Sequence, residues 1–196
     1  MVIGGYFGTQ DAIILILCTA MAFSILRRNP DDPTRWIPLT RISALRWATG
    51  VVLIGLSLFT SHRTSSLTDY VISSTGTALF VAGAVFFYGA KSPMSSILVE
   101  DDEYGVSLRP GGLYRIVRHP LFFGLFLCSI GLPVYIISPI GLIFSLVAAF
   151  PLLIYSSRQV DAHWASRAGS DYVPYSSTIH MFIPSFRNRW KSVKRI

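Results

Sequence analysis

Two pairs of polar residues flank a long uncharged segment in the C-terminal half of the chain. Arg118 and His119 stand at its start, and Arg158 and Asp161 at its end; the thirty-nine residues between the two arginines contain no Asp, Glu, Lys or Arg. An arginine guanidinium binds a carboxylate or a phosphate through paired hydrogen bonds, so these residues could together hold an anionic group. Such a site requires the two pairs to meet in space.

The uncharged segment brings the pairs together if it folds back on itself. At about 1.5 Å rise per residue and a hydrocarbon core of roughly 30 Å, it is too long for one membrane helix. It fits two helices, at 121–138 and 140–157, with the turn at Pro139. A helical hairpin returns the chain to the surface that it left. We therefore expect the two polar pairs to be neighbours at one membrane surface, and this junction is the candidate active site.

The composition is that of a membrane protein. The 196 residues are 52% hydrophobic and only 14% charged, and the mean hydropathy is +0.52, a balance that a soluble domain of this size could not bury. Besides the hairpin, three apolar stretches are long enough to span a bilayer, at about 6–26, 44–60 and 70–90. The predicted fold is all-α: one membrane domain over 1–196 with five transmembrane helices, a C-terminal helical hairpin and a cytosolic tail.

The basic residues fall almost entirely on one side of these five spans. Sixteen of the seventeen Lys and Arg lie in the first loop, the third loop (91–120) and the tail (158–196), and only Arg63 lies on the other side. The positive-inside bias places the N-terminus outside and the C-terminus in the cytosol, in an endoplasmic reticulum or bacterial inner membrane. Topology and contact with anionic membrane lipids account for the net charge of +7, so we expect no nucleic acid partner.

The tripeptide Arg118-His119-Pro120 is weak evidence by itself. Basic residues at a cytosolic helix entrance and a proline in the first turn of a helix are both expected. The surrounding pattern strengthens it, because the tripeptide belongs to the run Gly112-Leu113-Tyr114-Arg115-Ile116-Val117-Arg118-His119-Pro120-Leu121-Phe122-Phe123-Gly124. After the hairpin follow Asp161, Gly169, Tyr172, Tyr175 and the ending Phe182-Ile183-Pro184.

In order and spacing these residues resemble the membrane methyltransferases that include isoprenylcysteine carboxyl methyltransferase and the phospholipid methyltransferases. The resemblance covers about 76–186. In that family the motif is approximately Gly-Pro-Tyr-Arg-x-x-Arg-His-Pro-x-Tyr-x-Gly, followed by a helical hairpin, an acidic pair and Phe-Gly-x-x-Tyr-x-x-Tyr. This chain departs from the pattern at four positions, where Leu113, Phe122, Val160 and Ala168 replace Pro, Tyr, an acidic residue and Phe.

The resemblance implies S-adenosylmethionine as the cofactor, bound at the cytosolic end of the hairpin. Arg118 and His119 would hold the amino acid carboxylate of this methyl donor, and Asp161 would bind its amino or ribose groups. Arg158 is the candidate catalytic residue, since it could orient an anionic acceptor. The implied cofactor-binding residues are Val106, Ser107, Leu108, Arg109, Tyr114, Arg118, His119, Pro120, Leu121, Phe122 and Asp161.

Methyl transfer from a sulfonium is an in-line displacement, for which the protein supplies position and exclusion of water rather than a conspicuous acid and base pair. The implied acceptor is a lipophilic molecule that enters from the bilayer. The first expectation is the carboxylate of a prenylated cysteine, and the alternative is a phospholipid or another small lipophilic amine or thiol. Each polar group missing at Phe122 and Val160 would cost on the order of 1–3 kcal/mol of donor binding.

Two other functions compete with this one. A membrane reductase that uses NAD(P)H has a similar helical end, but it would need more polar and basic residues for a dinucleotide than the third loop supplies. A non-enzymatic membrane protein that retains the fold is favoured by the missing Tyr and acidic residue, and it would have no affinity for the donor.

Each candidate residue also has a structural interpretation. The two arginines could be topology determinants that touch lipid phosphates, His119 could be an interfacial histidine, and Asp161 could pair with Arg158 or Arg115. Three tyrosines could be interface anchors: Tyr114, Tyr172 and Tyr175. His163 has no partner histidine at metal-ligand spacing, so we expect no metal site. The sequence leaves the oligomeric state open, because Ala78 and Ala82, near Gly76 and Gly83, could bring two helices together within one chain or between chains.

Overall fold

The computed structural model of the chain describes residues 9–26, 41–59, 66–91, 98–101, 105–108 and 110–184. These ranges are helical apart from a two-stranded antiparallel hairpin, in which Leu98 pairs with Leu108 and Asp101 pairs with Gly105. The elements in chain order are α1 (Thr9–Leu26), α2 (Arg41–Phe59), α3 (Leu67–Lys91), β1 (Leu98–Asp101), β2 (Gly105–Leu108), a 3₁₀ turn (Gly112–Arg115), α4 (Pro120–Tyr135), α5 (Pro139–Phe144), a π-helical segment (Ser145–Ala149), α6 (Phe150–Ala168), a second 3₁₀ turn (Gly169–Asp171) and α7 (Tyr172–Thr178).

The predicted helices are present, with boundaries that differ by about three residues in α2, α3 and α4 and by more in the second helix of the hairpin. α4 ends at Tyr135 rather than 138, and the second helix of the hairpin continues past 157 to Ala168. The helix can continue because residues 158–168, although polar, contain no Gly or Pro. The helix ends where Gly169 takes a positive φ of 54°, which only glycine adopts readily. The strand pair in the third loop is an addition that the helical prediction lacked.

Within the ranges that the structure describes, two helices are long and apolar enough to cross a bilayer, judged by length and composition. They are Leu67–Lys91, which is α3, and the continuous helical run Pro139–Thr178. The apolar helices Asp11–Ala20, Ala48–Ser57 and Pro120–Tyr135 are shorter. Large apolar side chains point outward from the long helices; Val85 is 64% exposed and Val147 is 71% exposed. These features support membrane association.

Glycines bring α3 and α4 into backbone contact. Gly76 and Gly83 on α3 face Gly131 and Gly124 on α4, so the two helices are antiparallel. A Cβ atom at Gly83 would lie 2.6 Å from the carbonyl oxygen of Gly124, and one at Gly131 would lie 2.6 Å from the amide nitrogen of Phe80. No side chain larger than hydrogen fits at these positions. The glycines therefore pack within one chain, which answers the question that the sequence left open for them.

Polar side chains fasten the end of the bundle opposite the candidate site. The Ser73 hydroxyl donates to the Tyr135 carbonyl at 2.8 Å, and the Tyr135 hydroxyl donates to the Asp11 carboxylate on α1. Pro133 lacks an N–H group, which deprives the Ser129 carbonyl four residues earlier of its helical donor. The Ser145 hydroxyl donates to that carbonyl instead. The hydroxyl groups thus satisfy backbone acceptors that the helix ends and the proline would leave unpaired.

The turn between α4 and α5 closes the predicted hairpin at Pro139. The Ser138 amide donates to the Pro133 carbonyl at 2.8 Å, and the Ser138 hydroxyl accepts from the Gly141 amide at 3.0 Å as an N-cap. α5 passes through the π-helical segment directly before Pro151, whose ring would clash with a carbonyl of a regular helix. The chain then returns along α6 toward the end at which α4 began.

The α3–α4 contact predicts opposite effects of Gly→Ala at two helix positions. Gly131→Ala should destabilise the protein by about 1–3 kcal/mol, because the new methyl group collides with the α3 backbone. Gly55→Ala on α2 should be neutral or stabilising by up to about 1 kcal/mol, since nothing lies within 4 Å of its Cβ position and alanine favours helix. Thermal unfolding of the detergent-solubilised variants measures both. Equal destabilisation would contradict the close packing.

Candidate functional site

The candidate site forms where the start of α4 meets the last turns of α6. The 3₁₀ turn Gly112–Arg115 leads into His119, which is the N-cap residue of α4, and Pro120 occupies the first helical position. Asp161 lies on α6, beyond its apolar part, and α7 folds back against both. The hairpin therefore brings together His119 and Asp161, which are 42 residues apart in the sequence.

Three donors from two segments, the start of α4 and α7, converge on the Asp161 carboxylate. His119 Nε2 lies 2.7 Å from Oδ1, and the Tyr172 hydroxyl from α7 also donates to Oδ1. Arg118 Nη1 lies 3.2 Å from Oδ2. The His119 side chain is 1% exposed, whereas the side chains of Arg118 and Asp161 keep 15% and 17% exposure. The cluster thus has a buried side at the histidine and an accessible edge at the arginine and the carboxylate.

Trp164 forms the aromatic wall of this cluster. Its ring stacks on the His119 imidazole with a centroid distance of 5.2 Å and an interplanar angle of 11°. Tyr114 meets the same indole edge to face at 5.9 Å, and Tyr172 meets it at 6.4 Å. Trp164 is 3% exposed and Tyr114 is 2% exposed. The indole therefore fixes the plane of the imidazole and keeps water away from it.

Arg118 fastens the tail of the chain to the candidate site. Its Nε donates to the Ile179 carbonyl at 3.0 Å and its Nη2 donates to the Ser176 carbonyl, so the guanidinium caps the C-terminal end of α7. The backbone amide of Arg118 donates to the His180 carbonyl at 3.0 Å. The Tyr175 hydroxyl, which is fully buried, donates to the Tyr114 carbonyl at 2.9 Å. Most of the hydrogen-bonding capacity of Arg118 is thus used inside the protein.

The remaining capacity of the cluster lies at its accessible edge. A carboxylate accepts about four hydrogen bonds; from residues in the described ranges, Oδ1 of Asp161 has two donors and Oδ2 has one. A guanidinium has about five N–H groups, and the side chain of Arg118 uses three of them within the described part of the chain. One acceptor site at Oδ2 therefore lies next to spare N–H donors on the arginine. Such an edge can bind a group that carries a cationic donor and an anionic acceptor close together.

Burial and hydrogen bonding determine the protonation states in this cluster. Burial lowers the pKa of the His119 imidazole, against the opposing effect of the Asp161 hydrogen bond and charge. Burial alone would raise the pKa of Asp161, but the hydrogen bonds from His119 and Tyr172 and the charge of Arg118 outweigh it, and the pKa is lowered from 3.8. At neutral pH the carboxylate is ionised and the imidazole is neutral, with its Nε2 proton donated to Asp161.

The remaining predicted cofactor residues are described to different extents. Pro120, Leu121 and Phe122 are buried in the first turn of α4, and the Phe122 ring lies 5.9 Å from the His119 ring. Leu108 is buried on β2, a strand that packs against α6. The backbone of β2 also includes Val106 and Ser107, whose side chains lie outside the described residues, as does all of Arg109.

Arg158, the predicted catalytic residue, is set apart from the cluster. It lies on α6 three residues before Asp161, its side chain is exposed, and it makes no hydrogen bond or ion pair with the described residues. The helical spacing places it near the accessible edge. Arg158 therefore differs from Arg118: its guanidinium is open to an external anion.

Several structural interpretations of the sequence were wrong. Asp161 pairs with Arg118 rather than with Arg158 or Arg115, and Arg115 donates to the Pro110 carbonyl at 3.0 Å. The three tyrosines are buried rather than anchored at an interface; their exposures are 2% at Tyr114, 5% at Tyr172 and 0% at Tyr175. Arg118 is more than a topology determinant that touches lipid phosphates, because its guanidinium donates hydrogen bonds to backbone carbonyls of the tail.

Trp164 was missed at the sequence level. Its position three residues after Asp161 puts it on the same helix face, which is the signal that could have identified it. His163 faces elsewhere, and within the described ranges no three His, Cys, Asp or Glu side chains group closely enough to hold a metal ion.

Acidification is expected to destabilise the protein from about pH 6.5 downward. Because the folded-state pKa of His119 lies below 6.5, the unfolded chain takes up a proton there while the folded chain does not. The stability linked to His119 is therefore fully present above pH 6.5 and is lost as the pH falls through the folded pKa. Asp161, with its pKa lowered from 3.8, adds a loss of the same sign at lower pH.

His119→Gln tests this linkage, because glutamine keeps an N–H donor and does not titrate. Its melting temperature should fall less between about pH 7 and about pH 5 than that of the wild type. His163, whose pKa burial and Arg167 also lower, is the comparison; because it is less buried than His119, His163→Gln should change the pH dependence less. The same pH dependence in wild type and His119→Gln would contradict the assignment.

Arg118→Lys should release the tail. A lysine keeps the charge but cannot reach the carbonyls of Ser176 and Ile179 and the carboxylate of Asp161 together, and each lost charged hydrogen bond is worth about 1.5–3 kcal/mol. We expect faster hydrogen exchange over 172–181, measured by mass spectrometry. Arg158→Lys is the matched control, and exchange in this segment should not change. Equal protection in both variants would show that the guanidinium does not hold the tail.

Comparisons of the chain with protein-family models, with curated proteins and with solved structures gave no match. The chemistry of the site therefore rests on its own contacts. These are an arginine donor beside a carboxylate acceptor, a neutral histidine behind them and an aromatic wall that excludes water.

Proposed function

We propose that the protein is a multi-pass membrane methyltransferase that uses S-adenosylmethionine on a lipophilic acceptor. The observation that carries the proposal is the accessible edge of the cluster, where spare N–H groups of Arg118 lie beside the free acceptor site on Oδ2 of Asp161. The methionine end of the donor carries an ammonium and a carboxylate on one carbon atom. An ionised Asp161 suits the ammonium, and Arg118 suits the carboxylate.

The other residues of the cluster support this assignment. His119 is buried and donates to Oδ1, so its role is to orient Asp161 rather than to bind the carboxylate of the donor, which refines the role expected from the sequence. The aromatic wall of Trp164 and Tyr114 excludes water behind the edge. The bound donor would supply an electrophilic methyl group, and the protein would supply position and a dry site for the displacement.

The acceptor is proposed to be anionic at its reacting end and apolar elsewhere. Arg158 is exposed near the edge and its guanidinium is open, so it can orient a carboxylate or a phosphate. We favour the carboxylate of a prenylated cysteine, and a phospholipid or another lipophilic amine or thiol is the alternative. The apolar residues exposed on α3, α5 and the π-helical segment support access from the bilayer.

The proposed topology has five spans, with the site on the cytosolic face. The helices over Leu67–Lys91 and Pro139–Thr178 support the membrane location, and the one-sided distribution of sixteen basic residues supports the orientation. The membrane would be the endoplasmic reticulum or a bacterial inner membrane.

A second candidate is a non-enzymatic membrane protein that keeps the same fold. It is favoured by the internal saturation of the cluster, since Asp161 already has three donors from the protein. Val160 is 6% exposed and Phe122 is 3% exposed, so apolar packing occupies the positions at which the resembling family has polar groups. In this case the cluster would hold the tail in place and would bind no donor.

Binding of S-adenosylmethionine in nanodiscs, measured by calorimetry, separates the two candidates. The methyltransferase is expected to bind in the micromolar range, and Asp161→Asn, which removes the charge that faces the ammonium, should weaken binding at least about tenfold. The control is Asp69→Asn, at the start of α3 and far from the site, which should bind as the wild type does. Absence of binding by the folded wild type would overturn the methyltransferase proposal. Binding would justify assays of methyl transfer to prenylcysteine and phospholipid acceptors.

A further inference from the structure

The Tyr172 hydroxyl donates a hydrogen bond to one oxygen of the Asp161 carboxylate, and the other oxygen faces the accessible edge. It donates to Oδ1 of Asp161, which also accepts from His119, whereas Oδ2 accepts from Arg118 alone among the described residues. Two donors from different segments therefore hold Oδ1, one from the start of α4 and one from α7. A carboxylate held at one oxygen by two directed bonds cannot rotate without losing one of them.

The ring of Tyr172 is itself held in place. Tyr172 is 5% exposed, and its ring packs against Trp164 at 6.4 Å and against Tyr175 at 5.8 Å. Tyr175 is fixed in turn by its bond to the Tyr114 carbonyl. Burial and the nearby carboxylate raise the pKa of Tyr172, so the phenol stays protonated and remains a donor. The hydroxyl thus reaches Asp161 from a rigid support rather than from a mobile side chain.

We propose that Tyr172 is a positioning residue that aims Oδ2 of Asp161 at the amino group of the methyl donor. This inference rests on the proposed function. It assigns Tyr172 a role in selecting ligands by their amino acid end, since only that end carries a cationic N–H donor for Oδ2. The nucleoside part of the donor has no such group and should not depend on the orientation of this carboxylate.

Two ligands that differ at the amino acid end test the proposal. S-adenosylhomocysteine keeps the ammonium and the carboxylate, and 5′-methylthioadenosine lacks both. Tyr172→Phe removes the hydroxyl and keeps the ring that packs against Trp164. We expect the Kd of S-adenosylhomocysteine to rise about tenfold in this variant, measured by calorimetry in nanodiscs, while the Kd of methylthioadenosine changes less than about twofold.

Tyr175→Phe is the matched control. It removes a buried hydroxyl from the neighbouring tyrosine, but that hydroxyl binds the Tyr114 carbonyl and not Asp161. Both Kd values should change by the same factor in this control. Parallel weakening of both ligands in Tyr172→Phe, or no change in either, would overturn the positioning role, because a merely structural residue does not distinguish the two ligands.

A ligand-free measurement separates failure of this inference from failure of the proposed function. The Tyr172 hydrogen bond is among the causes that keep the pKa of Asp161 low. The carboxyl ¹³C resonance of Asp161, assigned by its loss in Asp161→Asn, should therefore titrate at higher pH in Tyr172→Phe than in the wild type. If the wild type binds neither ligand, the proposed function fails and the assignment to a donor fails with it. An unchanged titration of Asp161 would refute the positioning contact itself.

Discussion

Backbone contact between α3 and α4 is the constraint on which the rest of the structure depends. Gly76 and Gly83 lie seven residues apart on α3, and Gly124 and Gly131 have the same spacing on α4, so matching turns of the two helices meet through glycine. Because no side chain separates the backbones at these glycines, their close contact fixes the register between the helices. This contact sets the position of the first turn of α4. His119 and Arg118, directly before that turn, can then meet Asp161 only because α6 returns along the same bundle.

At this end of the molecule charged side chains are partly buried, whereas charged groups in proteins usually lie at the surface. Placing a carboxylate and a guanidinium at 17% and 15% exposure carries a desolvation cost, which is offset only if their hydrogen bonds are made. The tail supplies most of the partners: the carbonyls of Ser176 and Ile179 for Arg118, and the Tyr172 hydroxyl for Asp161. The cluster therefore acquires its full set of hydrogen bonds only when α7 docks. A fastened tail does not by itself require charged groups, since apolar packing can hold a helix as well.

Much of this arrangement could be predicted from the sequence, because it follows from length and hydrophobicity. Thirty-nine uncharged residues must turn once, and the turn makes Arg118 and His119 neighbours of Asp161 whatever the details of packing. The partners within the cluster could not be predicted, since they depend on side-chain direction. The sequence suggested Arg158 or Arg115 as the partner of Asp161, and only the geometry identifies Arg118. Trp164 was not predicted for the same reason, because the direction of an aromatic side chain on a helix does not follow from the sequence. The strand pair at 98–108 was hidden for another reason, because polar and breaker residues give no strong periodicity.

The internal saturation of the cluster restricts what a ligand can use. His119 has donated its Nε2 proton to Oδ1, and Tyr172 occupies the same oxygen, so a ligand that required the histidine as a donor would have to break a bond between buried groups. Breaking it would leave a partly buried carboxylate short of a partner, at a cost of about 1–3 kcal/mol. A ligand that uses only Oδ2 and the spare N–H groups of Arg118 incurs no such cost. At a site of this kind a ligand would add hydrogen bonds to Arg118 and Asp161 without replacing those that the protein already makes. Its specificity would then depend on how rigidly the buried residues hold these two accessible side chains.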